Sequence, residues 1–194
     1  MNMMKPRLAR VEKKRDVRIH AELWHTSNCL LRAGRENAEG SAHQLRASLI
    51  FRAFALEAFL NWIGPHIIPH WKYLERLTPR EKLDLLADII KVKPDYGARP
   101  WQIVKDLFDF RNTLAHGKPE NVESEGYEPL KDVLEGNFTL VKTVWESFVT
   151  ESNAIRAQED VEKIATILYE TANLKHDGPR GPFSFGFQLR SASI

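Results

Sequence analysis

The sequence predicts an all-α protein, a bundle of about five to six helices with a basic N-terminal arm and an extended C-terminal tail. Apolar residues recur about every 3.6 residues along most of the chain, and no central segment alternates between apolar and polar residues as a strand would. Helix start and stop signals separate the apolar runs. The 194 residues, 43% hydrophobic and 28% charged, suffice for one domain with a buried core.

The first two predicted helices cover residues 8–37 and residues 41–65. The second ends at Gly64-Pro65, because proline cannot continue a helix without the loss of a backbone hydrogen bond. Its main apolar stripe consists of Leu45, Leu49, Ala53, Leu56, Leu60 and Ile63, and much of its other side is covered by Ile50, Phe51, Phe54, Phe59 and Trp62. A helix that is apolar almost all round belongs at the centre of a bundle or at a subunit contact.

A capping box predicts where the third helix begins. Thr78 and Glu81 have the spacing at which each side chain bonds the backbone N–H of the other, and Pro79 occupies the first helical position. This helix is expected to run to about Val92. Three more helices are predicted over residues 100–116, residues 128–152 with a break near Gly136, and residues 157–174.

The C-terminal tail differs from the helical part of the chain. A Gly/Pro-rich breaker at residues 178–182 precedes alternating apolar residues, namely Phe183, Phe185, Phe187 and Leu189. This pattern predicts a short extended strand that docks on its own domain, on a second copy or on another protein, or that is ordered only by chance contacts. The chain therefore divides into an N-terminal arm (1–18) leading into the first helix, a helical domain (19–174) and a tail (175–194).

Basic residues are concentrated at the two ends of the chain. Residues 1–18 hold seven Lys and Arg against two acids, a net charge of +5; residues 174–194 carry +2, and the segment between them −5. The candidate nucleic-acid contacts are Lys13, Lys14, Arg15 and Arg18, because basic side chains bind phosphates and release counterions. The alternative interpretation is a solvated helix start whose charges aid solubility.

Cysteine usage and hydropathy predict a cytoplasmic protein. Cys29 is the single cysteine and cannot form an internal disulfide. The charged N-terminal residues contain no apolar run of the length of a signal peptide or a membrane span. We expect no membrane association.

The strongest functional candidate is the stretch Arg111–Gly117 (RNTLAHG), at the end of the fourth predicted helix. Arginine carries a permanent fork of donors suited to phosphate, and histidine exchanges a proton near neutral pH. Asn112 adds a neutral hydrogen-bonding group beside them. RNA cleavage without a metal requires this combination of a cation and a proton-transfer group.

A helical wheel shows that Arg111 and His116 do not share a face. Arg111 projects into the apolar arc formed by Ile103, Leu107, Phe110 and Leu114. His116 lies about 140° further round an ideal helix. Either the helix unwinds before Gly117, or two copies of the helix meet and form a composite site. The structural alternatives are a histidine that caps the helix C-terminus and an arginine that pairs with a buried acid.

Glu57 is the predicted acid. It lies in the middle of the apolar second helix, where a polar side chain needs a partner in the bundle. We expect it to pair with Arg111, Arg52 or His116, either to orient a site or as a structural ion pair.

Other sites of chemistry find little support in the sequence. His66 and His70 are four residues apart, but Pro65 and Pro69 disturb their helical presentation, and no third ligand has a suitable spacing. The chain has neither a phosphate-binding glycine loop nor a nucleophile elbow. We therefore predict no metal and no cofactor.

The pattern Arg-Asn-x-x-x-His at the end of a helix in an all-helical chain resembles the HEPN superfamily (higher eukaryote and prokaryote nucleotide-binding domains). The segment 54–61 (FALEAFLN) resembles the second helix of that family, with its embedded polar residue, and the helix that begins PREKL at Pro79 is similar to the one that precedes the motif helix. The resemblance covers residues 41–173. The chain departs from toxin-type members at Lys118, where those often have tyrosine.

The resemblance implies a HEPN-like bundle that works as a homodimer and cleaves RNA without a metal. His116 would act as general base or acid, Arg111 would bind the scissile phosphate, and Asn112 would orient it, with Glu57 in support. Attack by the 2′-hydroxyl would give a 2′,3′-cyclic phosphate. A toxin or defence role, with an antitoxin or another protein as partner, is part of the same expectation.

The alternative is a non-catalytic HEPN-like helical dimer that binds nucleic acid or protein through its basic arm and aromatic tail. Arg111 and His116 would then be structural. Only the catalytic hypothesis assigns a role to Asn112, which is to orient the phosphate.

Overall fold

The computed structural model describes residues 10–123, 125–137, 141–174, 181–184 and 186–193, with strands 10–16 and 186–193 described by their backbone alone. In these residues the chain forms seven α-helices and two strands. They are, in order, β1 (Arg10–Asp16), α1 (Ile19–Glu36), α2 (Ser41–Ile67), α3 (Pro79–Ile89), α4 (Ile103–His116), α5 (Leu130–Leu134), α6 (Val144–Phe148), α7 (Glu151–Thr171) and β2 (Gly186–Ser193). The predicted helical bundle is therefore confirmed, and a two-stranded sheet is added to it.

Helix α2 forms the centre of the bundle and contacts α1, α3, α4 and α7. All six residues of its predicted stripe are buried: Leu45, Leu49, Ala53, Leu56, Leu60 and Ile63. Ala55 and Phe59 on its other side are fully buried as well. Burial on several sides explains why no single polar face is visible in its sequence.

The same helix is long and apolar enough to cross a membrane, and it is the one helix among the described residues that meets those two criteria. However, 56% of its most apolar window is buried inside the bundle. The apolar length of α2 is therefore used for packing against the other helices.

The capping box at the start of α3 is confirmed. The Thr78 hydroxyl accepts a hydrogen bond from the Glu81 N–H at 3.3 Å, and a Glu81 carboxylate oxygen accepts one from the Thr78 N–H at 2.8 Å. These bonds to Thr78 lower the pKa of Glu81, because they favour its charged form. The helix ends at Ile89, three residues before the expected position.

The predicted first helix is wrong at its N-terminal end. Residues 10–16 form strand β1, which pairs antiparallel with β2, and α1 begins only at Ile19. The segment has no apolar stripe to bury as a helix, since Val11 is its only aliphatic residue. In a helix Lys14 and Arg15 would also each lie one turn from Arg18 and repel it. Pairing with β2 supplies hydrogen-bond partners for the backbone of this segment.

The predicted end of the second helix also differs. Helix α2 continues past Gly64-Pro65 to Ile67, because a proline in the last turn removes only one backbone hydrogen bond. Gly64 allows the Trp71 ring to pack directly against the helix, in space that a Cβ atom would occupy. Proline here marks the last turn and not the end of the helix.

The helical region predicted over residues 128–152 breaks near Gly136 as expected, but it consists of two short helices and not of long ones. Two short helices, α5 and α6, have no buried residue, and residues 138–140 between them lie outside the described part of the chain. Gly136 takes a left-handed conformation (φ 73°) that ends α5. A Thr143–Glu146 capping box starts α6, and the Thr150 hydroxyl caps α7, which begins at Glu151 and not near Ala157.

The tail docks on its own domain, which was one of the predicted possibilities. Phe183 stacks on Trp24 with ring centroids 4.1 Å apart and planes within 3°. His20 Nε2 lies 3.0 Å from the Pro182 carbonyl oxygen, in a buried contact. The strand follows at Gly186–Ser193, later than predicted, while residues 175–180 and Phe185 are outside the described residues.

Candidate nucleic-acid site at the end of α4

Helix α4 carries the motif and is fixed by its apolar side. Contacts with α2, α3, α6 and α7 bury Ile103, Val104, Leu107, Phe108 and Phe110. The helix ends where the sequence predicts: Gly117 adopts a left-handed conformation (φ 49°, ψ 42°), and its N–H donates to the Thr113 carbonyl at 3.1 Å. His116 is the last helical residue.

Arg111 and Glu57 join α4 to α2. Arg111 Nη2 donates to Glu57 Oε2 at 2.5 Å, and the two side chains retain 21% and 29% of their exposure. The predicted pairing of Glu57 is thus confirmed with Arg111, and not with Arg52 or His116. The pair is half-buried, and about a fifth of the Arg111 side chain remains accessible to solvent.

Two phenyl rings flank the Arg111 guanidinium. Its Cζ atom lies 5.5 Å from the ring centroid of Phe108 and 5.8 Å from that of Phe54, both within cation–π range. Arg111 Nε is buried and has no hydrogen-bond partner in the described part of the structure. The rings and Glu57 together hold the guanidinium in one orientation.

Phe54 is the functional candidate that the sequence analysis missed. The sequence placed it on an apolar side of α2, yet its side chain is 39% exposed while Phe108 is 8% exposed. Its spacing of three residues from Glu57 could have linked it to the Glu57–Arg111 pair. That spacing does not show which side of α2 remains uncovered.

His116 and Asn112 are exposed at the end of α4. Because α4 is a regular helix as far as His116, Arg111 and His116 point about 140° apart. The structure does not adopt the first predicted arrangement, in which the helix unwinds before Gly117. The composite site from two copies remains a prediction.

A cleft of about 310 Å³ lies beside α4, between this helix and α6. On an ideal helix Asp109 and Thr113, which line it, project within about 60° of His116. Its charged lining is Lys105, Asp106, Asp109 and Glu120. Lys105 pairs with Asp109 at 2.6 Å, and Arg156 with Asp106 at 2.8 Å. The acidic excess makes this cleft a poor phosphate site.

No family model, curated protein or solved structure matches the chain. The resemblance to the HEPN superfamily therefore rests on the motif residues and on the order of the helices.

Arg52, the other candidate partner of Glu57, belongs to the bundle core. It is 1% exposed, its Nη2 donates to Asn28 Oδ1 at 2.7 Å, and its Cζ lies 3.9 Å from the Trp24 ring centroid. Burial lowers the pKa of Arg52 to about 9, and the charge of Glu162 partly opposes that shift. At neutral pH Arg52 is still a cation, stabilised by Trp24 and Asn28.

The predicted basic arm is in part tied to the domain. Lys13, Lys14 and Arg15 lie in β1 opposite Leu189, Gln188 and Phe187, and their side chains are outside the described part of the structure. Arg18 is half-buried: its Nη1 donates to the Ser184 hydroxyl at 3.4 Å, and its Cζ lies 5.5 Å from the Trp62 ring. Residues 10–16 are thus one strand of a two-stranded ribbon, and Arg18 is the N-cap residue of α1.

The histidines at 66 and 70 do not share a helix. His66 lies in the last turn of α2, with Nδ1 2.9 Å from the Trp62 carbonyl oxygen, while His70 takes a left-handed conformation beyond the helix. Within the described residues, no group of three or more His, Cys, Asp and Glu side chains could hold a metal ion.

Proposed function

We propose that the protein is a metal-independent endoribonuclease of the HEPN type that works as a homodimer. One observation carries this proposal. Glu57 on α2 holds the guanidinium of Arg111 in a half-buried position, and α4, the helix that carries Arg111, ends in an exposed His116. A structural ion pair would account for Arg111. It would not account for the asparagine and histidine that follow at the spacing of the family motif.

The Arg111–Glu57 bond leaves donors for a phosphate. A guanidinium has five N–H groups, and Glu57 accepts from Nη2. The carboxylate and the flanking rings fix the plane of the fork, so a phosphate meets a preoriented cation. Arg111 would bind the scissile phosphate and neutralise the charge that develops on its oxygens.

His116 and Asn112 would act on the same phosphate from the second copy. His116 takes the proton of the ribose 2′-hydroxyl, the 2′-oxygen forms a bond to phosphorus, and the bond from phosphorus to the 5′-oxygen breaks. The leaving 5′-oxygen receives a proton from the His116 imidazolium that this transfer forms, or from water. The products are a 2′,3′-cyclic phosphate and a 5′-hydroxyl, with Asn112 orienting the phosphate.

Cleavage of end-labelled RNA in EDTA tests the role of His116. We expect His116→Ala to lower the cleavage rate at least about 100-fold, because general acid–base catalysis contributes that much or more. His43→Ala, at an exposed histidine on α2, is the matched control and should cleave like the wild type. Metal-independent cleavage that survives His116→Ala would refute the proposed role.

The proposed cellular role is that of a toxin or defence protein held in check by an antitoxin or another protein partner. It rests on the same residues. Induced expression of the wild-type chain should then arrest bacterial growth, and expression of His116→Ala should not. Equal toxicity of both chains would separate the cellular effect from RNA cleavage.

A non-catalytic binding module is the second candidate, and one observation favours it: Glu57 already neutralises Arg111, and His116 leaves from another side of α4. In that case the wild type would bind labelled RNA in an anisotropy titration without cleaving it. Arg111→Gln would then weaken binding, and His116→Ala would not.

A further inference from the structure

Phe54 is a large apolar side chain left 39% exposed in the middle of α2. Residues on either side of it in this helix, Ala53 and Ala55, are fully buried. Phe51 meets the Phe54 ring edge-on, with centroids 6.4 Å apart and planes at 86°. The ring is thus supported by its own helix and still accessible.

The exposed ring lies directly beside the proposed phosphate ligand. The Arg111 Cζ atom is 5.8 Å from the Phe54 ring centroid. Phe108, which is buried, already gives the guanidinium an aromatic contact at 5.5 Å. Arg111 therefore has an aromatic neighbour even without Phe54. A cation–π contact with Arg111 alone does not explain why the Phe54 ring is exposed.

We propose that Phe54 is a stacking platform for an unpaired nucleobase next to the phosphate that Arg111 binds; this inference rests on the proposed function. In a nucleotide the base and its phosphate are neighbours. On the protein the Phe54 ring and the Arg111 guanidinium are neighbours too, so the two pairs can match. Stacking on an aromatic ring is tolerant of base identity, because every base has a π-face. A paired base is already stacked in its duplex and cannot reach the ring without being extruded.

Fluorescence of 2-aminopurine in a single-stranded RNA tests the platform directly, because stacking on an aromatic ring quenches this base. The chain with His116→Ala serves as the parent, so that the RNA stays intact. We expect quenching on binding by the parent, loss of quenching with added Phe54→Leu, and retention with Phe54→Trp. The affinity of the Phe54→Leu chain should fall about 10-fold, within the range of one lost base–aromatic stack.

Tyr73→Leu is the matched control. Tyr73 is 65% exposed but lies in the turn after α2, and its removal should change neither quenching nor affinity. Unfolding curves and the molar mass of each variant are measured alongside.

Several results would overturn the platform: quenching that persists in Phe54→Leu, no binding of single-stranded RNA, or a parent dimer that Phe54→Leu converts to a monomer. The last result would make Phe54 a subunit contact. The failure of the proposed function looks different. Quenching that depends on Phe54 with no cleavage by the wild type would refute the ribonuclease and keep the platform.

Discussion

At the scale of single residues, the environment of Arg111 determines how the candidate site can work. The Arg111 side chain is 21% exposed, and its guanidinium is bonded to one carboxylate, with Cζ 5.5 and 5.8 Å from two ring centroids. A partly desolvated ion pair contributes little net stability, but removal of one member leaves an uncompensated charge. Glu57 is therefore a positioning residue, because it orients the Arg111 guanidinium and compensates its charge at an apolar helix contact.

Glu57→Ala should lower both stability and activity. We expect a loss of about 1–2 kcal/mol in the free energy of unfolding, less than for a fully buried pair, because both side chains are partly hydrated. Cleavage should fall about 10-fold through kcat, since Arg111 loses its orientation in the transition state. Urea unfolding and steady-state cleavage measure the two effects.

Glu57→Gln is the informative comparison, because it retains the hydrogen-bond acceptor without the charge, and it should recover part of the lost activity. Asp88→Ala removes an exposed partner of Lys91 on α3 and should change neither quantity. A Glu57→Ala chain with normal kcat would show that the pair is purely structural.

At the scale of elements, local signals were sufficient for α2, α3 and α4 and for an extended segment in the tail, but not for β1 or for the pairing of the two strands. The Thr78 capping box, Pro79 and Gly117 act through neighbours in sequence, so they can be recognised without the fold. The β1–β2 pairing joins residues 170 to 183 positions apart, and no local signal indicates it. The Glu57–Arg111 pair was predictable, because each polar group interrupts an apolar face and needs a partner. The exposure of Phe54 was not, because it depends on how α4 packs against α2.

At the end of α2, the sign of the change in the free energy of unfolding on Gly64→Ala tests the contact between this helix and Trp71. Glycine to alanine inside a helix normally stabilises by about 1 kcal/mol. At Gly64 an added Cβ would lie 2.2 Å from the Trp71 ring, which is 2% exposed and cannot withdraw. We therefore expect Gly64→Ala to destabilise the protein by about 1–3 kcal/mol, as overpacking does.

Urea unfolding of Gly64→Ala, Trp71→Leu and the double variant measures this effect. Leucine at position 71 makes room, so the double variant should lose less than the sum of the two single changes. Additive losses, or a Gly64→Ala chain more stable than the wild type, would contradict the close contact.

At the scale of the whole molecule, one copy of the chain does not bring together the residues that the chemistry needs. Arg111 faces α2, while His116 leaves the end of α4 on another side, next to an acidic cleft. Because α4 is a regular helix as far as His116, the two side chains remain about 140° apart around its axis. If the protein cleaves RNA, the second half of the site has to come from another copy, as in the dimers that the resemblance implies.

Heterodimers with crossed substitutions test this directly. Two chains with different tags, one with Arg111→Ala and one with His116→Ala, are co-expressed and purified over both tags. Each composite site takes arginine from one chain and histidine from the other, so the mixed dimer retains one intact site of two and about half of the wild-type rate. The matched dimer pairs a wild-type chain with a chain that carries both substitutions, and it should be inactive, because each of its two sites lacks one group. A site within one chain predicts the reverse, an inactive crossed dimer and a half-active matched one, and that outcome would contradict the composite site.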